Sequence, residues 1–215
     1  MKSGAIITGD IVNSTKLTFE ERDIMLEKLQ TIPLILSEIQ RVSIEIFRGD
    51  SFQIGIPHAQ SALRCGIAIR AWLRNYRTTE SKHVLDARIA IGVGTLDYES
   101  GTLSTSDGEA YRLSGRLLDE MKKSRLEIKT PWHDVNEELK LASAFADNII
   151  SFWTQSQSKV ILRSLVTEKN HLELAQEFNV SRQMVDKSLK ASKEELISAY
   201  IKRYEHLITS HLHNI

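Results

Sequence analysis

The sequence predicts an α+β protein in which a segment of mixed strands and helices precedes an all-helical segment. Runs rich in Ile and Val alternate with helical patterns as far as Thr130, which is typical of strands between helices. No strand pattern follows Thr130, and the rest of the chain has the periodicity of helices. Pro131 comes next, and the residue before a proline tends to end regular helix. We therefore expect two domains, 1–130 and 131–215.

The amino-acid composition limits the classes of protein to which this chain can belong. The chain has 215 residues, of which 41% are hydrophobic and 26% charged, and these values suit one or two globular domains. The formal net charge is zero, so no whole-chain field favours nucleic acid or membrane, although 156–215 is slightly basic. Cys65 is the single cysteine, which excludes an intramolecular disulfide and a cysteine-based zinc site. With no signal-peptide pattern or membrane span, we expect a cytoplasmic protein without a membrane partner.

The elements of the first domain follow from local patterns. An apolar strand is predicted over Ala5–Ile11, and a helix over Phe19–Val42 that Pro33 should kink or restart. Two β-type runs within Ser43–Ile56 flank a Gly-Asp pair and indicate a hairpin. The remaining elements are a helix over His58–Tyr76, a strand over Leu85–Tyr98, a helix over Asp107–Lys123 and a strand over Arg125–Thr130. This order predicts a ferredoxin-like βαββαβ unit with helices on one face of an antiparallel sheet.

Two aspartates stand at strand ends that a ferredoxin-like unit makes neighbours. Asp10 closes the strand of "IITGDIVNST", and Asp50 lies in the hairpin turn. Two carboxylates in one cleft repel each other, and a divalent cation removes that conflict. Hard oxygen ligands suit Mg²⁺ or Mn²⁺, and Gly9 and Gly49 allow the backbone to come close to a ligand. The alternative is that both aspartates are ordinary turn residues; the pair together favours a metal site.

Four segments resemble the motifs of class III nucleotide cyclase domains. They are "IITGDIVNST" for the first strand, "FRGDSFQIGI" for the hairpin, "RIAIGVGTL" for the next central strand and "DGEAYRLSGRLL" for the helix that carries a transition-state arginine. The hairpin is also similar to that of the related diguanylate cyclase domains. The resemblance covers 1–125. The short opening with "ITGDIVNS", followed by a helical tail, more specifically resembles the SatD family of bacteria.

This resemblance implies roles for several residues. Asp10 and Asp50 match the two metal-binding aspartates. Arg116 matches the arginine that stabilises the pentavalent phosphorus, where a fixed positive charge offsets developing phosphate charge. Thr105 stands where a purine-reading residue is expected. The implied ligand is therefore a nucleotide or another phosphorylated small molecule, bound with Mg²⁺ or Mn²⁺.

Other residues depart from the cyclase pattern. Ile46 occupies the place of the purine-selecting lysine, and Arg112 occupies that of the asparagine that usually partners Arg116. Arg48 and Arg112 are candidate phosphate anchors, with an exposed ion pair as the alternative role of each. The extra terminal strands that build a cyclase dimer are also missing from the pattern. We therefore expect cyclisation of ATP or GTP to be very slow or absent.

The second domain contains the stretch "HLELAQEFNVSRQMVDKSLKAS", which covers 171–192. Ala175 is small where a second helix must cross closely, and Asn179 can adopt the left-handed conformation that ends a helix. Ser181 is a favourable N-cap for the next helix, whose core side is Val185 and Leu189. This is the pattern of a helix-turn-helix. It resembles the DNA-binding domains of sigma factors and response regulators.

The exposed face of the second helix of such a motif enters the major groove of DNA. Here Arg182 could pair with guanine and Gln183 with adenine. Lysines farther along would contact phosphates. The candidate DNA-binding residues are Arg182, Gln183, Asp186, Lys187, Lys190 and Lys193. The alternative is a trihelical bundle that serves only protein contact.

The helical pattern continues beyond Ser192 in what we expect to be one long helix. An apolar stripe there includes Leu196, Tyr200, Tyr204 and Leu207, and it could be core or the seam of a homodimer. Three functions stay open. The first is a DNA-binding regulator with a cyclase-like sensory domain. The second is a nucleotide-acting enzyme whose helical half drives oligomerisation, and the third is a non-catalytic interaction protein.

Overall fold

A computed structural model describes residues 2–76, 84–97, 103 and 106–212. In this part the chain has the predicted mixed α+β character, with a five-stranded sheet and many helices. The strands are β1 (Lys2–Ile11), β2 (Ser43–Phe47), β3 (Ser51–Ile56), β4 (Ala87–Leu96) and β5 (Leu126–Lys129). The helices are α1 (Phe19–Gln30), α2 (Ile32–Leu36), α3 (Ala62–Arg74), α4 (Glu109–Glu120), α5 (His133–Ser151), α6 (Gln155–Val166), α7 (His171–Phe178), α8 (Arg182–Ala191) and α9 (Glu194–Leu212).

β1 is the central strand of the sheet. The strand order is β2-β3-β1-β4-β5, with β1 antiparallel to β3 and β4, and with β5 parallel to β4. Asp10 lies opposite Ser51 on β3 and opposite Arg88 on β4. One residue further, the backbone N–H of Ile11 donates to the carbonyl oxygen of Asp50 at 3.0 Å. The end of β1 therefore lies beside the turn between β2 and β3.

Helices cover both faces of the sheet, so the prediction of helices on one face is wrong. Ile89 and Ile91 of β4 belong to the main core, which they share with α3. Ala90 points the other way and packs against Leu117 of α4. At Gly92 a Cβ atom would lie 2.3 Å from a carbonyl oxygen of α4, so the missing side chain lets the α4 backbone rest on the strand. The side chains of β4 are apolar or small on both faces of the sheet because helices cover both faces.

Two predicted helices are interrupted. The first helical segment divides into α1 and α2, with Pro33 in the first turn of α2, where a missing N–H costs no hydrogen bond. The helix predicted to run on beyond Ser192 stops there. Lys193 has a φ of 57°, which is left-handed, and α9 begins at Glu194. The prediction of one continuous helix is wrong because this residue turns the chain.

The helical half shares its core with the sheet. Apolar residues from both sides of Thr130 belong to one hydrophobic cluster. Tyr204 of α9 is fully buried, and its hydroxyl donates to the carbonyl oxygen of Ala59 at 2.9 Å. Tyr200 is buried as well, and its hydroxyl lies 2.6 Å from that of Ser143 on α5. The α9 stripe is therefore mostly core, and the division into domains at 1–130 and 131–215 stays a prediction.

Membrane crossing by a helix is not a feature of this structure. Among the residues it describes, no helix combines the length and the apolar character that a bilayer span requires.

A buried charge cluster joins α3, β4 and α5. Asp86, 1% exposed, precedes β4 and accepts hydrogen bonds from Arg70, Arg74 and Arg125 at 2.8–2.9 Å. Arg70 is fully buried and also pairs with Asp147 of α5 at 2.7 Å. Burial alone would raise the pKa of Asp86; the arginine charges and the hydrogen bonds from Arg70 outweigh burial and hold that pKa below its ordinary value. Each charge in the cluster therefore depends on the others for compensation.

Replacement of Asp86 by asparagine should strongly destabilise the fold. Asp86→Asn removes the charge that compensates three guanidinium groups, and such a loss costs about 3–5 kcal/mol of unfolding free energy. Urea unfolding at pH 7 measures the difference. Asp107→Asn is the matched control, because Asp107 is exposed, pairs with Arg112 and accepts from the N–H of Gly108, which an asparagine oxygen can still do, so its loss should stay below about 1 kcal/mol.

The same variant should change how stability depends on pH. Because the pKa of Asp86 is lowered on folding, its stabilisation is fully present above the unfolded value and is lost as pH falls through the folded value. The stability gap between wild type and Asp86→Asn should therefore be constant above about pH 5 and shrink in more acidic solution. A gap that is independent of pH down to acid unfolding would contradict this assignment of charge.

Candidate functional site

A small pocket lies at the edge of the sheet, between the start of α1 and the β2–β3 turn. We call it the sheet-edge pocket. Its volume is 230 Å³, and its lining includes Ser14, Arg22, Met25, Leu26, Arg48 and Asp50. Ligand pockets usually measure about 300–1,000 Å³, so this one suits a phosphate or diphosphate group better than a whole nucleotide.

The turn between β2 and β3 places Asp50 in this pocket. Arg48 and Gly49 have φ values of 55° and 82°, and two consecutive left-handed residues match the twist of a tight hairpin. The carboxylate of Asp50 accepts a hydrogen bond from the hydroxyl of Ser14 at 2.5 Å. Both oxygens are hard donors, and Mg²⁺ is commonly held by one or two carboxylates together with substrate phosphates. The donors at this turn therefore fit a Mg²⁺ or Mn²⁺ ion that arrives with a phosphate.

The guanidinium groups of Arg22 and Arg48 give the pocket its positive charge. Both side chains belong to exposed residues, one on α1 and one in the hairpin turn. Neither forms an ion pair within the part of the chain that the structure describes. A guanidinium presents paired N–H donors that match the geometry of phosphate oxygens. The pocket thus offers cationic donors and one carboxylate around a space the size of a phosphate.

Asp10 has a partner that the sequence analysis missed. Its carboxylate pairs with Arg88 of β4 at 2.5 Å, and both side chains are partly buried. Strand alternation puts Asp10 on the same face as Thr8, whose hydroxyl bonds to Ser114 of α4, whereas Asp50 lines the pocket beside α1. The sequence feature that could have indicated this pair is Arg88 itself, a cationic residue within the otherwise apolar sequence of β4.

The predicted cation shared by Asp10 and Asp50 stays a prediction. Over the described ranges, no group of three or more His, Cys, Asp or Glu residues could hold a metal ion. A cation bound by Asp10 would have to compete with Arg88 for the carboxylate.

The other residues predicted from the cyclase resemblance lie apart from the sheet-edge pocket. Arg116 is exposed on α4 and lines a different groove, formed with β5 and α5. Arg112 pairs with Asp107 at 2.8 Å and approaches Asp97 at 3.7 Å. Thr105 lies outside the described residues. Of the candidate phosphate contacts that the structure describes, it therefore brings Arg48, and not Arg112 or Arg116, together with Asp50.

α7 and α8 form a compact corner with defined caps. Asn170 caps α7 by accepting from two backbone N–H groups. Asn179 ends α7 in the left-handed conformation, with a φ of 52°, and the N–H of Val180 returns to the carbonyl of Ala175 at 3.0 Å. The hydroxyl of Ser181 then accepts from the N–H of Met184 and begins α8. The left-handed conformation of Asn179 and the cap at Ser181 are those which the sequence pattern predicts.

One face of α8 is buried and the other is open to solvent. Val185 and Leu189 pack into the core. Asp186 lies 2.5 Å from the Nδ1 atom of His171 and 3.7 Å from the guanidinium of Arg182, which is 67% exposed. The other predicted contact residues are exposed: Gln183, Lys187, Lys190 and, just past the helix, Lys193.

Comparisons with known proteins find similarity to two solved structures, each with a TM-score below 0.5. No family model matches the chain, and no curated protein does. The active GGEEF domain of a diguanylate cyclase from Vibrio cholerae is 14% identical, with a TM-score of 0.45 over 61% of this chain and 85% of that one. A bacterial light-regulated adenylyl cyclase is 21% identical, with a TM-score of 0.44 over 59% of this chain and 74% of that one.

Proposed function

We propose that the sheet-edge pocket binds the phosphate groups of a nucleotide or a related phosphorylated molecule, together with Mg²⁺ or Mn²⁺. The observation that carries this proposal is the position of Asp50 in one small pocket with Arg22 and Arg48. Asp50 and Ser14 would hold the cation, and the two arginines would bind phosphate oxygens. When bound, the cation would neutralise phosphate charge. Asp10, at the neighbouring end of β1, would be a second ligand only after release from Arg88.

The topology fits a cyclase-like unit with a changed base site. We infer that β1–β4, in the order β2-β3-β1-β4, form the predicted ferredoxin-like core, to which β5 adds at one edge. Ile46 lies on β2 opposite Phe52 and has no group that can hydrogen-bond a purine edge. We therefore expect the protein to bind a nucleotide through its phosphates, with little discrimination between bases. An enzyme that forms a cyclic nucleotide is the alternative that the same experiment tests.

We propose DNA binding as a second function, and the exposed surface of α8 supports it. The supporting observation is a helix whose buried side is apolar and whose open side carries Arg182, Gln183, Lys187 and Lys190. We infer that α7 and α8 form the predicted helix-turn-helix and that the exposed side of α8 enters the major groove. Asp186 would orient Arg182, because the two side chains lie one turn apart. A regulator that couples a phosphorylated ligand to DNA combines both proposals.

Nucleotides should stabilise the protein when Mg²⁺ or Mn²⁺ is present. At a hundredfold excess over Kd a ligand adds about 2.7 kcal/mol, which for a chain of this size raises the melting temperature by about 5–10 °C. Thermal shift with ATP, GTP and pyrophosphate, each with Mg²⁺, measures this effect. All three ligands should act, because the pocket contacts phosphate. Asp50→Asn should remove the dependence on the cation, and Arg48→Ala should weaken the shift at equal concentration.

Asp23→Asn is the control for this experiment, because Asp23 is exposed on α1 outside the pocket lining and should change nothing. Equal shifts for wild type and Asp50→Asn would refute the assigned site. Chromatography of the same samples tests the alternative: rapid formation of a cyclic nucleotide that requires Asp50 would establish the enzyme.

Two substitutions on α8 should weaken DNA binding in different ways. Arg182→Ala should cost about 1–3 kcal/mol on a cognate site and relax base choice at one position. Lys190→Ala should weaken binding to all sequences alike and reduce the salt slope by about one unit. Fluorescence anisotropy on selected and random duplexes, over a range of salt concentrations, separates the two effects.

The matched controls are Arg41→Ala and Lys202→Ala, which change exposed residues away from α8 and should leave binding unaltered. A wild-type protein that retains no duplex at low salt would eliminate the DNA proposal. The nucleotide proposal would be untouched by that result.

A further inference from the structure

α5 carries an exposed apolar stripe that nothing in the described chain covers. Leu141 and Phe145 lie one turn apart on its outer face, and Phe152 follows directly after its end. These side chains are 65%, 64% and 77% exposed, respectively. We call these three residues the α5 stripe. With about 200 Å² per phenylalanine side chain, its two aromatic rings alone expose roughly 280 Å². That is about a third of the ~800 Å² that each partner buries in an interface of standard size.

The second surface is a groove between α6 and α8, with a volume of 420 Å³. Its apolar lining includes Val160, Phe178, Val180 and Met184, and Met184 is 59% exposed. The charged side chains that line it are lysines, Lys159 and Lys187, and its lining contains no Asp or Glu. We call it the α6–α8 groove. An amphipathic helix with an apolar face and acidic residues nearby is the occupant that such a groove fits.

Helix α5 has both features of such an occupant, an apolar face and acidic residues nearby. The first turns of the same helix carry Asp134, Glu137 and Glu138, all exposed. Asp134 and Glu138 also contact His211 and Arg203 of α9, whereas no ion pair involves Glu137 within the described chain. One chain therefore presents both an apolar helix with an acidic end and an apolar groove with a basic rim. The two surfaces complement each other in character and charge.

We propose that the α5 stripe of one copy binds the α6–α8 groove of a second copy, reciprocally, in a symmetric dimer. The two surfaces adjoin along the chain, because Phe152 is two residues from Thr154, which lines the groove. A two-fold axis near Phe152 would lay each stripe over the groove of the partner and close the assembly at two copies. Each copy would then bury both its stripe and its groove, so the buried area exceeds that of the phenylalanines alone. This proposal does not rest on the nucleotide or DNA proposals, but it shares one residue with the latter, because Lys187 lines the groove and also belongs to the proposed DNA-binding side of α8.

Sedimentation velocity of the full chain tests the dimer. The wild type should sediment as a dimer at micromolar concentration. Phe145→Glu in the stripe and Met184→Lys in the groove should each raise the dimer dissociation constant about thirtyfold or more, as expected for a buried hot spot. Both residues are exposed in the single chain, so the variants should retain the circular dichroism spectrum of the wild type and a cooperative melt, at a lower midpoint because the stabilisation by association is lost. Phe19→Glu makes the same chemical change at a phenylalanine that is 90% exposed, and it should stay dimeric.

A mixture of the two variants distinguishes reciprocal docking from other dimers. The Phe145→Glu chain retains its groove and the Met184→Lys chain retains its stripe, so a heterodimer has one intact half and one half with Glu opposite Lys. The mixture should therefore recover a dimer that neither variant forms alone. A wild type that stays monomeric to high concentration would overturn the proposal. Recovery that fails in the mixture, although the wild type is dimeric, would overturn the assigned docking in favour of another interface such as α5 against α5.

Discussion

The carboxylate of Asp86 is the point on which the arrangement of sheet and helices depends. It compensates Arg70 and Arg74 of α3 and Arg125 before β5, and Arg70 continues the network to α5 through Asp147. Such a network is a weak source of net stability but a strict geometric constraint, because every unpaired charge in it would be costly. Through this one group the charges of α3, of the segment before β4 and of α5 are linked across the hydrophobic core that these elements share.

The segment around Asp86 also contacts the strand that carries Asp10. The backbone carbonyl of Asp86 accepts from the N–H of Val12 at 2.9 Å, directly after β1. Two residues beyond Asp86, Arg88 pairs with Asp10 at the end of β1. The charge cluster and the sheet-edge pocket therefore lie at the same end of the sheet, on opposite sides of β1.

Local patterns were readable from the sequence where a single residue type determines the geometry. The hairpin around Gly49, the cap at Ser181 and the turn at Asn179 all occur where propensity places them. The sequence does not determine which face of the sheet α4 covers, because an amphipathic helix can pack on either face of a sheet whose two faces are both apolar. Nor was the pairing of Asp10 with Arg88, because it depends on the register between two strands 78 residues apart in sequence. The predicted topology suggested that Asp10 and Asp50 share a cation; in the structure the carboxylate of Asp10 pairs with Arg88 and that of Asp50 accepts from Ser14, and the shared cation stays a prediction.

The burial of Tyr204 against Ala59 has a consequence for biosynthesis. α9 completes the core on the α3 side of the sheet through that hydroxyl and through the pairing of Glu205 with Arg64. A ribosome delivers the sheet before α9, so part of the apolar surface around α3 stays uncovered until α9 has emerged. During that interval the nascent chain presents the kind of surface that chaperones bind and that aggregation exploits.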